Sequence, residues 1–101
     1  MIINMDARVW LPGERTGGSL DEVFQRVRDA VPSLAIECLE GPLGTDDERR
    51  FFLRVGGSLE AVEVESRPGG RPPFIISDEY QQLDAVDPVS ASAAVLDFLK
   101  A

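Results

Sequence analysis

Arg49-Arg50-Phe51-Phe52-Leu53-Arg54-Val55-Gly56-Gly57-Ser58-Leu59-Glu60-Ala61-Val62-Glu63-Val64-Glu65-Ser66 sets two alternating runs on either side of a Gly-Gly pair. Two runs of period two around two glycines are the signature of a β-hairpin with a primed two-residue turn. The expected strands are Arg49 to Val55 and Ser58 to Ser66. Counting outward from Gly56-Gly57 pairs Val55 with Ser58, Leu53 with Glu60, Phe51 with Val62 and Arg49 with Val64, a mostly apolar face. The opposite face then pairs Arg54 with Leu59, Phe52 with Ala61, Arg50 with Glu63 and Glu48 with Glu65. One apolar and one mixed face is what a half-buried hairpin needs, because a one-residue slip would turn every side chain over.

Working outward, Ile3, Met5, Ala7, Val9 and Leu11 alternate with Asn4, Asp6, Arg8 and Trp10, which predicts a first strand with its aliphatic side inward. Pro12-Gly13 ends it. Ser19-Leu20-Asp21-Glu22 matches the capping box, and Leu20, Val23, Phe24, Val27 and Val31 follow at helical spacing until Pro32. Leu34 to Glu40 reads as a strand with Leu34, Ile36 and Cys38 on one side. After the hairpin, Pro68-Gly69-Gly70 makes a turn and Phe74-Ile75-Ile76-Ser77 a short strand at or near a sheet edge. Asp78 to Val86 reads as a polar connection. Asp87-Pro88 is a cap followed by proline at the first helical position, so a second helix should run from Pro88 to about Leu99. Apolar residues surround most of that helix, so it is either deeply packed or meets a partner on one side. The order β-α-β-β-β-β-α defines an α+β two-layer sandwich: an antiparallel meander of four to five strands carrying two helices.

The chain of 101 residues is long enough for one small domain, residues 1–101. It carries eighteen acidic and ten basic side chains, a net charge of −8, and no histidine. The usual general acid/base and the commonest metal ligand are therefore missing, which points to a non-catalytic protein with no cofactor and no metal site. The negative charge repels phosphates and anionic lipids, arguing against nucleic-acid and membrane binding and for a basic protein partner. No apolar run approaches bilayer length, the first residues lack the pattern of a secretory signal, and Cys38 alone cannot form an internal disulfide, all of which suggest the cytoplasm. Arginine makes up nine of the ten basic residues, a bias of GC-rich bacterial genomes.

Cys38 has no histidine to activate it and reads as an inert core thiol. Asp46-Asp47-Glu48, Asp78-Glu79 and Asp84 with Asp87 could offer oxygen ligands, but they lack the Ca²⁺-loop pattern and read as solvated loops. Gly17-Gly18-Ser19 precedes a helix yet matches no phosphate-loop fingerprint, so it reads as a turn and cap. The feature that carries a contact reading is Phe52 on the mixed hairpin face, with Arg50, Arg54, Glu63 and Glu65 around it. Trp10, on the polar side of the first strand, is a second candidate. Glu37, Glu60, Glu63 and Glu65, with Asp78 and Glu79 beyond, could form a negative stripe that steers a basic partner.

The sequence thus suggests an acidic protein-binding module, inhibitor- or immunity-like or chaperone-like, that masks a basic partner. Alternatives are an acidic mimic of nucleic acid, a small carboxylate- or metal-dependent enzyme or sensor, and a homodimer joined through the second helix.

Overall fold

The computed structural model describes residues 7–40 and 49–100. Its elements are β1 (Ala7–Val9), α1 (Leu20–Ala30), β2 (Leu34–Leu39), β3 (Arg50–Val55), β4 (Val62–Arg67), β5 (Arg71–Ser77), β6 (Gln82–Ala85) and α2 (Pro88–Leu99). The strands form one antiparallel sheet in sequential order, β1 to β6. The α+β class and the terminal positions of both strand and helix are as expected, but there are six strands instead of four to five. The added strand is β6, inside the stretch read as a polar connection. Only Ala85 of Gln82–Ala85 is buried, so this edge strand carries almost no apolar signal.

One face of the sheet and both helices enclose the core. Ile36, Cys38, Phe51, Leu53, Val62, Val64, Phe74 and Ile76 point to α1 residues Leu20, Val23, Phe24 and Val27 and α2 residues Ala91, Ala94 and Val95. Phe51 is the aromatic centre of this core. It meets Trp10 edge-on at 5.1 Å between ring centroids and Phe24 at 5.0 Å. Trp10 is 4 % exposed, whereas Val9 is 63 % exposed, so the first strand faces opposite to the expectation. Alternation defines two faces without saying which is inside. The indole, the larger apolar surface, takes the interior, and the Arg8 guanidinium lies over it at 5.2 Å.

α1 begins where expected but by a different cap. Ser19 makes no side-chain capping bond. The Leu20 amide instead donates to the Gly70 carbonyl oxygen (2.9 Å), and the Asp21 carboxylate accepts from the amides of Thr16 (2.7 Å) and Gly17 (3.0 Å). Glu22 is drawn along the helix to Arg26 at 2.8 Å. The β4–β5 turn therefore closes the start of α1, which requires glycine on both sides. A Cβ on Gly18 would strike the carbonyls of Gly69 and Gly70, and one on Gly70, whose φ is +72°, would strike Thr16. At α2, Asp87 caps as expected, accepting from the Ser90 amide at 2.8 Å.

The hairpin register is two residues from the predicted one: Phe51 pairs with Val64, Phe52 with Glu63 and Leu53 with Val62. A turn does form at Gly56-Gly57, closed by the Ser58 amide on the Val55 carbonyl at 2.9 Å, but it is not the primed turn expected: only Gly57, at φ +81°, is left-handed, whereas a primed turn needs a positive φ at Gly56. However, the Gly56 amide is drawn to the Ser33 carbonyl (3.0 Å), and Arg54 Nη1 holds the Leu59 carbonyl (2.7 Å), so residues 58–61 loop outward before β4 starts. Because the slip is an even number, each side chain keeps its face and only its neighbour changes. Arg50 consequently pairs with Glu65, at 3.3 Å, and not with Glu63. The predicted Glu48–Glu65 pair and the acidic run Asp46–Glu48 lie outside the described residues.

Candidate functional site

No described element packs on the second face of the sheet, which therefore displays the mixed residues the sequence singled out. Glu37, Phe52, Glu63 and Ser77 form a row across β2, β3, β4 and β5 by direct pairing. Phe52 is half-buried, in contrast to Phe51, its neighbour on the core side, at 2 %.

At one end this face opens into a cleft of 580 Å³. Phe52, Arg54 and Glu63 contribute from the sheet, Leu59 and Glu60 from the β3–β4 loop, Asp78, Glu79 and Tyr80 from the β5–β6 turn, and Phe98 and Leu99 from the end of α2. Leu59 is 94 % and Tyr80 90 % exposed, and they stand as apolar knobs at the rim. The turn that holds Tyr80 is rigidly made: the Asp78 carboxylate accepts from the amides of Tyr80 (2.8 Å) and Gln81 (2.9 Å). Those bonds, the Tyr80 amide first, hold the Asp78 carboxyl below its ordinary range.

The charges on this face are mostly spoken for. Arg54 Nε binds Glu37 at 3.2 Å and Arg50 binds Glu65 at 3.3 Å. Glu63 has no ion pair among the described residues. Burial pushes its carboxyl above the ordinary range, and a hydrogen bond and repulsion from Glu65 push the same way, while Arg50 opposes them.

Of the residues picked from sequence, Phe52, Arg54 and Glu63 line the cleft, and Arg50 and Glu65 lie beside them on the open face. Trp10 is withdrawn into the core and offers nothing to a partner. The expected acidic stripe is interrupted, because Glu37 and Glu65 are each neutralised by an arginine. Tyr80, Phe98 and Leu99 escaped the sequence reading, since none is near Phe52 along the chain. The lone tyrosine in a polar segment was the available signal.

Cys38 is fully buried, and burial raises its thiol pKa, the opposite of an activated nucleophile. Among the described residues no group of three or more histidine, cysteine, aspartate or glutamate side chains is placed to hold a metal. No described helix is long and apolar enough to cross a membrane. No family model, curated protein or solved structure matches the chain.

Proposed function

We propose that this chain is a non-catalytic protein-binding module that masks a basic partner through the open sheet face and its cleft, in the manner of an inhibitor, immunity protein or small chaperone. The observation that carries the reading is the combination of Leu59 and Tyr80, almost wholly exposed, with Phe52 of the sheet, in a cleft edged by Glu60, Glu63 and Glu79. Exposed apolar anchors among charges in which acids outnumber bases have the composition of a binding patch for a basic surface: the anchors supply desolvation and the charges supply steering and selectivity. A net charge of −8 favours encounter with a basic surface. A phosphate-backbone mimic would need unpaired carboxylates at regular spacing, and the arginine partners of Glu37 and Glu65 argue against that alternative.

The test is site-specific photocrosslinking of the full chain in native lysate, with a benzophenone residue at Leu59, at Tyr80, or at Gln25 on the exposed side of α1. The reading expects one basic protein in stoichiometric yield from positions 59 and 80, none from 25, and loss of the adduct on Leu59→Asp. Equal labelling from all positions, or adducts with acidic proteins, would refute it.

A further inference from the structure

The open face of β2, β3 and β4 repeats one local arrangement and breaks it once. The carboxylates these strands place on that face are Glu37, Glu63 and Glu65. Glu37 is bound by Arg54 and Glu65 by Arg50, which uses both arginines that β3 presents there. Glu37 and Glu63 are the two cross-strand neighbours of Phe52, one on each side of the ring. On the Glu37 side, a guanidinium from Arg54 joins the carboxylate beside the phenyl ring. On the Glu63 side the same carboxylate and the same ring lie in the cleft, and no guanidinium of the described residues reaches them.

We propose that Glu63 and Phe52 receive an arginine side chain from the partner protein, so that its guanidinium pairs with the Glu63 carboxylate beside the ring, as the Arg54 guanidinium pairs with Glu37, the neighbour of Phe52 on the other side. This rests on the protein-binding reading and specifies the chemistry of its central contact. Arginine fits better than lysine because a planar guanidinium can bind a carboxylate through two N–H groups and stack on an aromatic surface at the same time. The cleft volume, 580 Å³, leaves room for such a side chain and flanking apolar residues at Leu59 and Tyr80.

The electrostatics around Glu63 favour an incoming cation. Glu65 faces it from its own strand, with Arg50 committed to Glu65. Around the cleft, Glu60, Asp78 and Glu79 outnumber Lys100, and Arg54 is held by Glu37 and the Leu59 carbonyl. Partial burial already disfavours the Glu63 carboxylate, so an entering guanidinium relieves that penalty and draws the carboxyl pKa back down.

The experiment titrates the ¹³C-labelled full chain with an amidated pentapeptide bearing arginine between two leucines, and with the same peptide in which citrulline, neutral and of nearly equal shape, replaces arginine. The arginine peptide should bind about tenfold tighter than the citrulline peptide, the usual size of a charge-assisted hydrogen-bonded contact. It should also lower the Glu63 carboxyl pKa read from its ¹³C shift. In Glu63→Gln the two peptides should bind alike, whereas Asp29→Asn, which removes an equal charge from the exposed side of α1 away from the cleft, should keep the preference. Equal binding of both peptides to the wild-type chain, no binding at all, or a preference that survives Glu63→Gln overturns the proposal. Failure here is separable from failure of the broader reading. A crosslinked partner that binds Glu63→Gln normally but loses Leu59→Asp removes the arginine site alone, while one indifferent to both variants removes the interface.

Discussion

Replacing Trp10 by alanine tests the assignment of faces most directly, because the sequence pattern placed this ring outside and the structure buries it. An indole taken out of water removes about 150–250 Å², or roughly 4–6 kcal/mol at ~25 cal/mol per Å². That is an upper figure, since the unfolded chain is itself partly collapsed. The edge-on contact with Phe51 at 5.1 Å adds to the loss, and the cavity opens beside Phe51 at the centre of the aromatic cluster. Large-to-small core changes of this kind cost about 3–5 kcal/mol. For a domain of this size that corresponds to a fall in Tm on the order of 15–25 °C. Phe52→Ala removes a half-buried ring on the open face and should cost only about 1 kcal/mol. Urea unfolding followed by far-UV circular dichroism measures both variants, and iodide quenching of the single tryptophan in the wild-type chain gives an independent reading of its burial. If Trp10→Ala costs less than Phe52→Ala, or iodide quenches Trp10 as freely as it does in urea, the packing of β1 described above is wrong.

Gly70→Ala should destabilise by about 2–3 kcal/mol, since it combines a left-handed backbone with a collision at Thr16; a change of under about 0.5 kcal/mol in thermal unfolding would show that the β4–β5 turn does not close α1. Glu63→Gln should raise the Tm at neutral pH. The wild-type folded state binds a proton at Glu63 more tightly than the unfolded chain, so this group adds stability as pH falls through its raised pKa toward the ordinary carboxylate value. The variant should lack that rise, and Tm profiles that run parallel from pH 4 upward would contradict it. Cys38 should react with a disulfide reagent only at the rate of global opening, because it is buried and its thiol pKa is raised; fast labelling under native conditions would place it elsewhere.

How much of this was legible follows from the range of each interaction. Leu34, Ile36 and Cys38 alternate on one strand, and Leu20, Val23, Phe24 and Val27 recur on one helix, so burial follows from neighbours in the chain. The Asp87-Pro88 cap was readable because its donor, Ser90, is three residues away. β6 was not, since its pairing with β5 and not its own composition makes it a strand. The capping box at Ser19 is equally local, yet Gly70, fifty residues on, supplied the carbonyl that won the Leu20 amide.

The candidate site divides along the same line. Period-two alternation in the chain was enough to separate Phe51 and Leu53 from Phe52 and Arg54, because that depends only on backbone geometry. Which side of β1 faces inward, which glutamate each arginine binds, and the meeting of Leu59, Tyr80 and Phe98 at one cleft were settled by residues distant in sequence. The Leu59 carbonyl and Ser33 together drew the hairpin two residues out of its simplest register. That displacement gave Glu65 to Arg50 and left Glu63 without an ion pair among the described residues, so the property that makes Glu63 a candidate contact exists only once the strands are paired.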